Sequence, residues 1–349
     1  MNWRELSLRI GLAGLSISVS LALTALLILL LGSDPQRVLT TIVDGAFRDQ
    51  TRLGSVINFW IPLTLAATGL VITFTAGLWN IGVEGQMMMG AIFASYGAQF
   101  IALPQPLLIP VCLLLGATGG LAWALLAGIL KTRAGVNEIF GGVALNALAN
   151  LAAIYLIAGP WEPPEGGSAQ STAPFPAEAN LPVISPEFPV SLVMLVLTLA
   201  AAVGVLLLLN RTRLGLELKA TGKNARSALL LGVPTERTAL LAFALCGLLA
   251  GLAGSHRVLH TYQSLRPLVS GGIGFLGLLA VLLVSYRMLI LPLITFALAA
   301  LIAGSTRVKV LLQLDQSLVG VLQGLLVLTV LLFNGARERF GGRARPPAP

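Results

Sequence analysis

From Leu53 to Leu130 the chain runs for 78 residues with one charged side chain, Glu84. A soluble domain covers its surface with about 25% charged residues, whereas this chain has 10% charged and 56% hydrophobic residues. A bilayer removes that requirement because hydrocarbon solvates the outer face. It also forces every backbone polar group to be satisfied within its own segment, which selects helices. A crossing needs about 20 apolar residues, so this stretch predicts three, at 56–78, 82–103 and 107–130. The other gaps between charges predict spans at 10–33, 139–161, 188–210, 238–256, 267–286, 288–306 and 316–336. The expectation is an all-α polytopic membrane protein with about ten transmembrane helices, forming a single domain over 1–349.

The uncharged stretch from Ile10 to Ser33 is longer than the 7–15 residues or so of a signal-peptide core, so it reads as an uncleaved first span. Ten spans put both termini on one side. With the termini in the cytoplasm, the inner segments take fifteen of the 22 basic residues, as the positive-inside rule requires. The predicted outer segments are 34–55 and a proline-rich loop at 159–187, which has four glutamates and no Lys or Arg. The predicted inner segments include 211–235 and a basic tail at 337–349. The net charge of +8 is thereby assigned to the membrane's inner face. No basic stretch is interleaved with aromatics, so nucleic acid is not an expected partner.

The cysteines, Cys112 and Cys246, sit in apolar runs and read as packing residues. Gly116/Gly120, Gly247/Gly251 and Gly320/Gly324 each form a GxxxG pair, a spacing that lets helix backbones approach closely. His256 and His260 are four residues apart in a predicted outer loop. They lack a nearby third ligand, so no metal site is expected.

Three segments concentrate polar chemistry. In Gly77-Leu78-Trp79-Asn80-Ile81-Gly82-Val83-Glu84-Gly85-Gln86 the glycines predict a break in the helix. A carboxylate at membrane depth is a functional candidate by default. Glu84 has three open readings: a helix N-terminal cap, a member of a structural hydrogen-bond network, or a solute contact. In the second segment, Asn137 and Glu138 follow Lys131 and Arg133 at the mouth of a span. Asn146 and Asn150 share a face four residues apart, able to bond across helices or to a hydroxyl-rich solute. Asn80, Glu84, Gln86, Asn137, Asn146 and Asn150 are the candidate solute-path residues. The third segment is the inner stretch 211–235. There Asn224 is a good N-cap, Gly232 a good stop and Pro234 a good helix start. A short leucine-bearing helix between them, Asn224–Leu231, is too short to stand alone and reads as a docking element.

These segments resemble the permease subunits of ABC importers of the ribose, simple-sugar and nucleoside superfamily. The nucleoside branch, which works with a basic-membrane-protein-type lipoprotein receptor, is the most similar. The resemblance rests on GLWNIGVEGQMMMGA, GVNEIFGGVALNALA and ATGKNARSALLLGVPTERTALLAFALCGLLAGLAG, in that order. It implies a non-catalytic subunit in the cytoplasmic (inner) membrane of a prokaryote, with no cofactor of its own. A cytosolic ABC ATPase would bind ATP and magnesium and grip Gly222, Asn224, Ala225, Ala228, Leu229 and Gly232. A second homologous permease chain would complete a heterodimer, and the lipoprotein receptor would deliver a nucleoside or simple sugar from outside. A bulky charged residue at Ala228 or Leu229 is expected to uncouple ATP hydrolysis from transport with insertion intact.

Independently of the resemblance, the chain lacks a G-x-x-x-x-G-K-[ST] phosphate loop, since Gly222-Lys223 is followed by Asn224. The rival reading is an ion-coupled secondary transporter, which needs ionisable residues at mid-membrane. Glu84 and Glu138 are thin provision for that.

Overall fold

The computed structural model describes residues 34–163 and 170–312, with six further positions between residues 22 and 29. The predicted spans 10–33 and 316–336, the tail 337–349 and the pair Gly320/Gly324 lie largely or wholly outside the described residues. The described chain is helical and contains no strand. In order, the helices are α1 (Pro35–Phe47), α2 (Gln50–Thr75), α3 (Val83–Phe100), α4 (Gln105–Thr132), α5 (Glu138–Ala158), α6 (Leu192–Arg211), α7 (Arg213–Lys223), α8 (Ala225–Leu230), α9 (Thr235–His256), α10 (Ile273–Leu283) and α11 (Leu291–Leu312). A π-helical turn, Arg257–Tyr262, extends α9.

Two compact units divide the chain, one of residues 1–52 and 300–349, the other Leu53–Ala299, where the sequence predicted a single domain. In the first unit, the stretch read as an outer loop at 34–55 is mostly helical. Asp34 caps α1 by accepting the Gln36 amide at 2.9 Å, and Pro35 stands at the first helical position, where its missing N–H costs nothing. Val38, Ile42 and Ala46 recur on one buried face. Gly45 and Gly304 bring α1 and α11 together so closely that a Cβ on either would overlap the other helix's backbone.

Six helices of the described chain are long and apolar enough to cross a membrane, counting α11 to Val308: α2, α4, α5, α6, α9 with its π turn, and α11. α2 is the central one, with 78% of its span buried, against 22% for α5 and 28% for α6. The latter two bury one face, and their opposite faces are exposed. α3, at 18 residues, is too polar to join the six and is enclosed by its neighbours. Pro62 within α2 and Pro110 within α4 are accommodated without ending the helices, as neighbours re-satisfy the freed backbone groups in membrane bundles.

Two of the GxxxG pairs mate with each other. A Cβ on Gly120 would meet the Gly251 Cα at 2.6 Å and one on Gly247 the Gly120 carbonyl carbon at 3.0 Å, and Gly116 and Gly251 are equally close. Gly90 of α3 enters the same seam, where its Cβ would lie 2.5 Å from the Gly251 carbonyl oxygen. α3, α4 and α9 therefore meet backbone to backbone, which maximises dispersion where no hydrophobic effect drives association.

One predicted span is replaced by something shorter. Where the sequence predicts 267–286, α10 has eleven residues, roughly 16 Å. Gly271 (φ 61°) and Gly272 (φ 79°) stop any earlier helix, and Ser285 (φ 48°) and Tyr286 (φ 63°) end α10. The described part of 159–187 contains a single three-residue 3-10 turn, Ala177–Ala179.

Candidate functional site

The break predicted around Gly77 to Gln86 is a polar knot. Gly77 (φ 75°) turns the chain out of α2. Asn80 and Gln86, both fully buried, exchange a reciprocal pair of amide bonds at 3.1 and 2.9 Å. Asn80 Nδ2 also faces Cys246 Sγ at 3.1 Å, so this cysteine serves the network as well as packing. Asn146, reaching over from α5, accepts the Gly85 amide at 2.7 Å and donates to the Ile81 carbonyl at 2.9 Å. Each of the three side chains thus has both ends of its amide engaged, which offsets the cost of burying them.

Glu84 caps a helix, but not at the inner end of its own span. It lies in the first turn of α3 and is 8% exposed. Its Oε1 accepts the Phe275 amide at 3.1 Å, in the first turn of α10. A carboxylate at a helix N-terminus satisfies an orphan donor and complements the dipole, and a hydrogen bond to a charged group contributes roughly 1.5–3 kcal/mol. Gly274 makes room: a Cβ there would stand 2.9 Å from Glu84 Oε1.

Asn137 caps α5, its Oδ1 accepting the Ile139 amide at 2.9 Å, and Glu138 pairs with Lys131. Asn150 Oδ1 accepts the Leu268 amide at 2.8 Å. Of the six predicted solute-path residues, the fold joins Asn80, Gln86 and Asn146 in one knot, directs Glu84 to α10 and leaves Asn137 and Asn150 outside the knot.

The predicted coupling segment holds two helices rather than one. Thr212 caps α7 through the Gly215 amide at 3.1 Å, and Asn224 caps α8 through the Ser227 amide at 2.9 Å. Gly232 (φ 84°) ends the segment in open space. Gly222 is seated on the end of α2, where a Cβ would lie 3.0 Å from the Gly77 amide nitrogen and overlap the Thr75 carbonyl. The last turn of α7, immediately before α8, is thus in contact with the turn that leads into the polar knot. A cavity of about 470 Å³ beside this contact is lined by Gly77, Lys131, Glu138, Gly222, Asn224 and Glu236 among others. Ala228 is 3% exposed, while Leu229, Leu230 and Leu231 are 60%, 83% and 84% exposed. A charged group at Ala228 would disrupt internal packing, against the expectation that it leaves the fold intact, whereas the outward leucines touch little of their own chain.

Sequence reasoning put His256 and His260 in an outer loop. Instead, His256 is fully buried at the end of α9, its ring stacked on His260 at 5.0 Å between centroids. Among the described residues no group of three or more His, Cys, Asp or Glu side chains could hold a metal. Arg257, 7% exposed, was missed. Its Nε donates to the Val269 carbonyl at 3.2 Å and its Nη2 to Tyr262 Oη at 2.6 Å. The signal available for the segment it holds was Ser270-Gly271-Gly272, a breaker inside an apolar run.

A bundle of apolar helices long enough to cross a membrane, seamed by glycine and holding a buried polar knot, is the architecture of a multi-pass membrane protein. Residues 52–331 match the family described as branched-chain amino acid transport system / permease component, and the chain belongs to that family. It is similar to the glucose ABC transporter permease protein TsgB13 of Haloferax volcanii, 28% identical over 330 residues, covering 92% of this chain and 87% of that protein. It is also similar to the guanosine ABC transporter permease protein NupP of Bacillus subtilis, 27% identical over 278 residues, covering 77% and 78% respectively. A third relative is the nucleoside ABC transporter permease protein NupB of Lactococcus lactis, 25% identical over 281 residues, covering 77% and 76%. All three relatives are named as permease proteins of ABC transporters.

Proposed function

We propose that this chain forms one side of the translocation path of an ATP-driven importer in the inner membrane of a prokaryote, carrying a nucleoside or simple sugar. The observation that carries the reading is the α7–α8 segment. It offers three exposed leucines at its tip and is keyed by Gly222 onto the turn between α2 and α3. A cytosolic ATPase, holding ATP and magnesium, grips that tip. Its closure pushes the turn and the knot behind it, rocking the bundle between inward- and outward-facing states. A second homologous permease completes the path as a heterodimer, and a lipoprotein receptor supplies solute from outside. The relatives named for glucose, guanosine and nucleosides point to uncharged, hydroxyl-rich solutes.

The ion-coupled alternative needs a mid-membrane acid free to exchange protons with solute or solvent. Glu84 is committed to the α10 cap, which speaks against it. The test is uptake of labelled guanosine and glucose by proteoliposomes holding the permeases, ATPase and receptor. Uptake is expected to require ATP on the ATPase side and to survive a protonophore. Uptake that persists without ATP and collapses with the protonophore would reject the proposal.

A further inference from the structure

Between the π turn and α10 the backbone is irregular, and it does not lie where a surface loop would. Asn150, which bonds the Leu268 amide, is the thirteenth residue of the 21-residue α5. Leu268 is therefore held about 18 Å along that helix, near the middle of a hydrocarbon layer roughly 30 Å thick. Gln263 and Leu268 (each φ 52°), with Gly271 and Gly272, place four left-handed residues within ten. Strain of this kind concentrates at working sites. Non-helical backbone at such depth is stable only when buried in protein or when it lines a water-filled path. Here it is buried only in part: Val269 and Ser270 are enclosed, while Leu268 is 67% exposed and Gly271 is exposed too; beside them Phe275, in the first turn of α10, is 47% exposed.

We propose that residues 266–275 line the aqueous route of the transported solute, with Leu268 and Phe275 as its apolar contact surface and an uncharged molecule as its cargo. This rests on reading the chain as a permease. The buried ions behind the segment are already committed. Glu84 caps α10, and Arg257 is bonded to Val269 and Tyr262. In many transporters the N-terminus of a discontinuous helix faces an anionic group of the substrate. Here the chain's own carboxylate occupies that position. What faces the open side is a phenyl ring, a leucine and glycine backbone; Arg266, exposed at the edge of the segment, lies over the Tyr262 ring, 5.2 Å from its centroid. That surface suits the flat apolar face of a nucleobase or sugar ring, whose hydroxyls can meet backbone groups.

The test is thiol labelling of Leu268→Cys and Phe275→Cys in the assembled importer, in proteoliposomes. Cys112 and Cys246 are buried and do not compete. Leu199→Cys on the lipid face of α6, 47% exposed, is the control. A membrane-impermeant methanethiosulfonate needs a hydrated thiolate, so both variants are expected to react at least about tenfold faster than the control. Saturating guanosine or glucose, whichever the wild-type complex takes up, is expected to slow that reaction. Two reactive positions keep the test independent of one variant's folding. Control-like rates at both would overturn the proposal and show the segment covered by lipid or by the second permease. Fast labelling that the transported solute does not slow would overturn solute contact. If the wild-type complex imports neither compound, the functional reading fails, while the labelling ratio still decides whether the segment faces water.

Discussion

Gly251→Leu is expected to abolish accumulation of folded protein, while Gly204→Leu leaves it unchanged. Both glycines sit inside long apolar helices, and both substitutions raise helix propensity and hydropathy. What differs is the space. A Cβ at Gly251 would overlap the Gly116 carbonyl and lie 3.0 Å from its carbon and 3.1 Å from the Ala117 Cα. Those neighbours are backbone, so no rotamer change relieves the clash, and α4 and α9 must separate. Gly204 has nothing within 4 Å. Overpacking typically costs 1–3 kcal/mol, and a four-carbon side chain forced between two backbones belongs at or above the top of that range. Even Gly251→Ala is expected to lower the melting temperature of the purified protein by roughly 3 °C, at about 1.4 °C per kcal/mol for a chain of this size. The readout is the monodisperse fraction by size-exclusion chromatography and the thermal melt. Wild-type yield of Gly251→Leu would mean the α3–α4–α9 seam is misplaced.

The second large effect belongs to the tip of the coupling segment. Leu230→Asp with Leu231→Asp is expected to leave the melting temperature unaltered, because these side chains touch little of their own chain. It is expected to weaken ATPase binding and solute-stimulated hydrolysis by at least about tenfold, the scale of losing one anchor residue from an interface. Ala228→Asp has the opposite signature: a buried methyl site receives an unpaired charge, and stability falls first. Equal ATPase affinity in the Leu230→Asp, Leu231→Asp protein would remove the tip from the docking surface.

The long apolar runs made the main spans legible because hydrocarbon imposes length and composition directly. α4, α5, α6 and α9 each lie within a few residues of the predicted boundaries, while α2 begins a turn and a half earlier than predicted. The cap at Asn224 was legible for a similar reason, since it acts within three residues of itself; the cap at Asn137 is just as local, but that residue was read as part of a span mouth and of the solute path. The long-range partners were not. Asn80 meets Cys246 and Glu84 meets Phe275 across 166 and 191 residues, and nothing local to either residue encodes the other. α10 was hidden by its glycines, which count as neutral in a hydropathy window yet set the backbone at φ 61° and 79°. α1 was hidden by its charges. Reading Arg37, Asp44 and Arg48 as a loop overlooked the period-four face of Val38, Ile42 and Ala46.

The account stands on α7 and α8 facing the compartment that holds ATP. Leu230→Cys, reacted with an impermeant maleimide in inverted and in right-side-out membrane vesicles, tests this directly. Labelling is expected in inverted vesicles alone and is expected to be blocked when the ATPase is bound. Labelling from the outer face of sealed right-side-out vesicles would contradict it.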